Sequence, residues 1–192
     1  MTRILRIDSS AKTTGSTTHA LLDRIEEQVG RADIRRDLGG VAVPQIDGTW
    51  VQSNYTKPED RTEEHRAALA FSDELVAELQ EADVILLALP VYNFTLPGSL
   101  KAWLDLVCRA GVTFRYTEKG PEGLLKGKRA IVAFASDGTK IGSANDFASP
   151  YLRFILGFIG ITDVTFVAAD AQKMDGDAAT AQAREQVQAL AA

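Results

Sequence analysis

The chain is poor in the residues that build several kinds of functional centre. It has one cysteine, Cys108, in 192 residues, so it can form neither an internal disulfide nor a multi-cysteine metal site. Its two histidines, His19 and His65, stand far apart and lend little support to a zinc hydrolase, so no metal is expected. Basic residues are not in excess: 21 Lys and Arg stand against 26 Asp and Glu, a net charge of −5. Nucleic acids and anionic membranes favour clustered Lys and Arg, so neither is expected as a partner. Long apolar runs are missing as well. The longest uncharged stretch, 84–100, contains Pro90, Asn93, Pro97 and Gly98 and makes a poor membrane span. Arg3, Arg6 and Asp8 break what would be the apolar centre of a signal peptide, so a cytoplasmic protein is expected.

What is present is enough for a core. Hydrophobic residues make up 45% and charged residues 24%, the balance of a globular chain of one domain, 1–192. Five strands are expected. Residues 4–8 are short and apolar, 33–37 polar like an edge strand, 84–89 and 130–135 continuous apolar runs, and 164–168 (VTFVA) the fifth. Helical periodicity falls between them, over 17–29, 62–80, 100–110, 149–158 and 178–190. This alternation predicts an α/β fold of three layers. It has a five-stranded parallel sheet of flavodoxin-like order 2-1-3-4-5, with helices on both faces. Two connections, 39–60 and 113–128, are long and irregular, as functional or interface loops often are. Cys108 falls on a helix as a packed small hydrophobe, and Asp73, Glu74, Glu118 and Glu122 read as solvated surface charges.

In such a sheet, ligands sit beyond the carboxyl ends of the strands, where the loops after strands one, three and four converge. The first loop, SSAKTTGSTT, places hydroxyls and Gly15 ahead of a helix start, a place suited to phosphate. It lacks both G-x-G-x-x-G and G-K-[ST], and the same residues also suit an ordinary capped helix. The second loop begins PVYNF. Pro90 stops the strand, and Tyr92 and Phe94 alternate around Asn93 as if to frame a flat ring, although packing of a strand end explains them too. The third, ASDG, offers Ser136, Asp137 and a turn at Gly138. Together the three loops point to a phosphorylated flat cofactor, and FMN fits better than NAD bound alone.

The run PVYNFTLPGSLKAWLDLVCRAGVTFRYTEKGPEGLLKGKRAIV, with SPYL (149–152) and LGFIGITDV (156–164), resembles the FMN-dependent NADH-azoreductases, which are also NAD(P)H:quinone oxidoreductases. The resemblance spans essentially the whole chain. It implies a flavodoxin-like homodimer with two FMN sites at the subunit interface. Ser10, Ser16, Thr17 and Thr18 would hold the phosphate, and Pro90, Val91, Tyr92, Asn93 and Phe94 would line the ring. Ala135, Ser136, Asp137 and Gly138 would close its pyrimidine side, and Tyr116 and Phe158 would meet the substrate. It also implies ping-pong transfer of two electrons from NADH or NADPH to a quinone or aromatic azo compound. The hydride chemistry would be the cofactor's, with no catalytic side chain. Family members carry Ser-Arg-Gly-Gly where this chain has Ala135-Ser136-Asp137-Gly138. The residues alone leave two alternatives, a flavodoxin-like electron carrier and a flavin-binding sensor.

Overall fold

The computed structural model describes residues 2–191. The apolar runs become strands β1 (Ile4–Asp8), β3 (Val84–Pro90), β6 (Arg129–Ala135) and β7 (Asp163–Ala169), and the polar run becomes β2 (Ile34–Asp37). They pair in parallel in the order β2-β1-β3-β6-β7. This is the expected 2-1-3-4-5 succession once the two strands of a separate hairpin, β4 (Phe114–Thr117) and β5 (Gly120–Gly123), are set aside. Helices α1 (Thr17–Val29), α3 (Glu63–Glu81), α4 (Gly98–Val107), α5 (Ser149–Phe158) and α6 (Gly176–Gln188) fall where the periodicity placed them, within two or three residues.

The alternation of side chains along each strand feeds two cores. Ile85, Leu87, Leu89, Val132 and Phe134 pack on one face with Leu75 of α3, Leu104 of α4 and Leu152 of α5. Leu86, Ala88, Ile131 and Ala133 pack on the other with Leu22 and Ile25 of α1 and Ala183 and Val187 of α6. A strand covered on both faces has no solvent side to keep polar, hence the unbroken apolar runs. Strand β2 lies at the sheet edge and keeps its arginines. Arg35 reaches Glu26, and Arg36 reaches Glu74 and Glu78.

Both stretches expected to be irregular contain regular structure. Within 39–60, helix α2 (Gly48–Tyr55) starts under an Asp47 cap whose carboxylate accepts from Trp50 N at 2.7 Å. Only Trp50 and Ser53 of its eight residues are buried, so no periodic signal announced it. Within 113–128, the β4–β5 hairpin lies against the end of α5. A side chain at Gly123 would sit 2.1 Å from Gly160 N, so glycine is required for that approach. Cys108 is the residue that ends α4, and burial pushes its thiol up to about 12. Asp73 is not a free surface charge: it accepts from the fully buried Arg109 at 2.7 Å. Glu74 pairs with Arg36, and Glu122 with Arg115 and Lys126.

One cluster of charges lies inside. Arg6 of β1 is 4% exposed and donates to Asp8 at 2.9 Å, to Asp23 at 2.5 Å and to Glu26 at 2.7 Å. Burial disfavours the Glu26 charge, but the Ala32 N–H and the guanidiniums of Arg35 and Arg6 outweigh it. They hold the carboxyl below the ordinary value of 4.5. A depressed folded-state pKa stabilises the fold above the unfolded value, and this contribution is lost as pH falls through the folded one. Glu26→Gln is expected to cost about 2 kcal/mol near pH 7, because it removes one of the three carboxylates on the buried Arg6 and the charged partner of Arg35. The gap between variant and parent should narrow as pH drops below 4.5. Urea denaturation across that range measures it.

Candidate functional site

The ends of β1, β3, β6 and β7 surround a cavity of about 170 Å³. Its floor is the turn into α1. Gly15 adopts φ +65°, a left-handed turn, and Ser16 then caps the helix, its Oγ accepting from His19 N at 3.4 Å. The first turn of a helix leaves backbone N–H groups without intrahelical partners, and its dipole favours an anion. Ser16 Oγ lies 3.1 Å from Thr18 Oγ1. That contact consumes one of their two protons, so one O–H remains to donate into the cavity.

A second hydroxyl pair forms the side wall. Tyr92 Oη accepts from Ala11 N at 3.1 Å and lies 3.4 Å from Ser10 Oγ, which itself accepts from Lys12 N at 3.2 Å. Again one proton is shared and one is left over. The Tyr92 ring therefore ties the loop after β3 to the loop after β1. Gly39 presses on the same loop from behind: a Cβ there would fall 1.9 Å from Ser10 O. The far wall is Ala135, Ser136 and Asp137. Ala135 O accepts from Val91 N at 2.9 Å, which joins the loops after β3 and β6.

The chain matches the flavodoxin-like fold family over residues 2–191. It is 54% identical, over its full length and that of the relative, to "FMN-dependent NADH:quinone oxidoreductase 1" of a Jannaschia species. The chain belongs to this oxidoreductase and azoreductase family. A second family member, from Thiobacillus denitrificans, is 50% identical over 96% of this chain and 92% of its own length. Among solved structures of the family, an azoreductase from Bacillus anthracis superposes with a TM-score of 0.87 at 25% identity, covering 100% and 99% of the two chains. An FMN-dependent NADH-azoreductase from the same species, in complex with FMN, gives 0.83 at 26% identity and 100% and 98% coverage.

Of the residues singled out from sequence, Ser10, Ser16, Thr17 and Thr18 line the cavity together with Pro90, Val91 and Tyr92, and with Ala135, Ser136 and Asp137. Four do not. Asn93 and Phe94 sit at φ +50° and +71° in a tight turn closed by Tyr92 N to Thr95 O at 2.9 Å and Thr95 N to Tyr92 O at 3.1 Å. Two successive positive φ values make this a type I′ turn. It leaves Phe94 in solvent, 56% exposed, while Tyr92 lines the cavity. Tyr116 on β4 and the half-buried Phe158 on α5 meet instead through Phe114, whose ring lies 5.6 Å from one and 4.4 Å from the other.

Gly138 also falls outside the cavity lining; a side chain there would meet open space, so the glycine answers no steric need. Its turn is held by its neighbour, Ser136 Oγ accepting from Thr139 N at 2.6 Å. Thr17 departs from expectation in a different way. Its hydroxyl donates to Gln172 Oε1 at 3.2 Å and has no second proton for an anion.

Lys12 and Gln172 line the cavity and were not singled out from sequence. Lys12 lies inside the quoted phosphate-loop stretch. Gln172 follows the fifth sheet strand, whose carboxyl end the same topological rule places at the site. Phe94 carries the clearest local strain, since a Cβ-bearing residue in the left-handed region is penalised. Phe94→Gly is therefore expected to raise the stability of the cofactor-free chain by about 1 kcal/mol, read as an upward shift of the thermal midpoint.

Proposed function

We propose that this chain is an FMN-dependent oxidoreductase carrying two electrons from NADH or NADPH to quinones and aromatic azo compounds, by a ping-pong route. The observation that carries this reading is a donor-lined cavity at the converging strand ends of a chain 54% identical to a named FMN-dependent NADH:quinone oxidoreductase. The residues fit the group. An ionised phosphate accepts hydrogen bonds and cannot donate them. The cavity meets it with spare protons from the Ser16–Thr18 and Ser10–Tyr92 pairs, the first N–H groups of α1 and the Lys12 charge.

At about 170 Å³ the cavity is smaller than the roughly 300–1,000 Å³ that bury a whole drug-sized ligand. It suits the phosphate end, and the flavin ring then lies toward Val91, Tyr92 and the Ala135–Asp137 segment, with Asn93, Phe94 and Gly138 at its margin. Bound FMN supplies the hydride chemistry that no side chain here can perform. The protein's part is to hold the phosphate, flank the ring, and offer apolar walls to planar acceptors.

Tyr116 and Phe158 stand apart from the cavity of their own chain, which favours a homodimer in which each chain's aromatics complete the other's site. An aromatic series supports this face. Phe147, Tyr151, Phe154 and Phe158 recur at helical spacing along and just before α5; Phe147 and Phe154 are exposed, and Phe147 N donates to Phe94 O at 3.2 Å. We take the chain to act as a single cytoplasmic domain on small molecules. Nucleic acid and membrane have no place in this reading; among the described residues, no helix is long and apolar enough to cross a bilayer.

The purified chain is expected to bind FMN, to bleach with NADH under nitrogen and to recover its colour with a quinone. No flavin binding after reconstitution would overturn the reading, and binding without hydride uptake would mark a sensor instead. Ser16→Ala with Thr18→Ala should weaken FMN binding, each charge-assisted bond lost costing about 1.5–3 kcal/mol, as measured by fluorescence titration.

A further inference from the structure

The loop after β7 supplies a bridge between two walls of the cavity. Gln172 donates its backbone N–H to Ser136 O at 3.1 Å, on the loop after β6. Its side-chain Nε2 donates to Ala169 O at 3.1 Å, and its Oε1 accepts from Thr17 Oγ1 at 3.2 Å, on the first turn of α1. Only one orientation of this amide satisfies both contacts. Turned over, Oε1 would face the Ala169 carbonyl, two acceptors with no proton between them. With Nε2 held by Ala169, Oε1 must face Thr17, and the single Thr17 hydroxyl proton is committed to it.

The backbone around Gln172 is arranged for the same bridge. Ala171 holds φ +50°, a state that a Cβ-bearing residue adopts at a cost and that clusters at functional sites. Just beyond Gln172, Lys173 N donates to Asp137 O at 2.9 Å, and the Lys173 ammonium lies 3.2 Å from the Asp137 carboxylate.

We propose that Gln172 is a positioning residue for the phosphate, acting through Thr17 and resting on the FMN reading above. It holds the first turn of α1 against the loop after β6. It also takes the Thr17 proton, so that Thr17 serves the phosphate through its backbone N–H, while Ser16, Thr18 and Ser10 supply the hydroxyl donors.

A double-mutant cycle of Thr17→Val and Gln172→Ala tests this on the full chain stripped of flavin, with FMN and with riboflavin, which lacks the phosphate. Each single change is expected to lower FMN affinity about five- to ten-fold. The double variant should be no weaker than the worse single, because both changes remove one shared contact. Riboflavin affinity should stay within about two-fold throughout.

Losses that multiply, an unchanged FMN affinity in Gln172→Ala, or an equal fall for riboflavin would overturn the proposal. The FMN reading would survive any of these, provided that the parent chain still prefers FMN. A parent that binds riboflavin as well as FMN would remove the phosphate site and the proposal with it. If Gln172→Ala does not fold, Gln172→Met, of the same length but without hydrogen bonds, enters the same cycle with the same expectations.

Discussion

The parallel pairing of the sheet is the constraint from which the site follows. Pro90 pairs with Ala135, and Ala135 with Ala169, so β3, β6 and β7 end at one level. Strand β1 pairs with β3 up to Ile7 opposite Leu87, which brings Ser9 and Ser10 to the same rim. Beyond that rim the backbone groups have no ladder, and the loops must satisfy one another. They do so across the strands: Val91 N to Ala135 O, Ser136 N to Ala169 O, and Ser9 Oγ to Ala88 O. The cavity is what remains between loops bound to each other in this way.

Charge is distributed to match. The acidic groups near β1 are engaged below the rim, where Arg6 collects Asp8, Asp23 and Glu26. Above it, the cavity presents hydroxyls, a helix start and Lys12, while the one lining carboxylate, Asp137, is paired with Lys173. A net charge of −5 is thus compatible with an anion site. Local placement of donors, rather than overall charge, decides what such a cavity accepts.

Much of this was legible before any coordinates. The buried strands announced themselves as unbroken apolar runs, and the hydroxyl-rich turn with Gly15 marked the helix start that now floors the cavity. Other features left no trace. Helix α2 buries too little to be periodic. The alternation in PVYNF suggests an aromatic frame and gives no sign of the left-handed turn at Asn93 and Phe94 that leaves Phe94 exposed. Tyr92 instead reaches the loop after β1, a contact between residues some 80 positions apart that no spacing rule encodes.

The sequence by itself determined the layer architecture, the strand order and the loops that meet at the site, because burial on two faces and helical periodicity are written in neighbouring residues. Only the tertiary structure decided which side chains share the cavity and which protons they have left to give. Hydrogen-bond satisfaction is settled between elements distant in sequence. Thr17 and Ser16 are adjacent and chemically alike, yet Gln172, far along the chain, commits the Thr17 proton while the Ser16–Thr18 pair keeps one free.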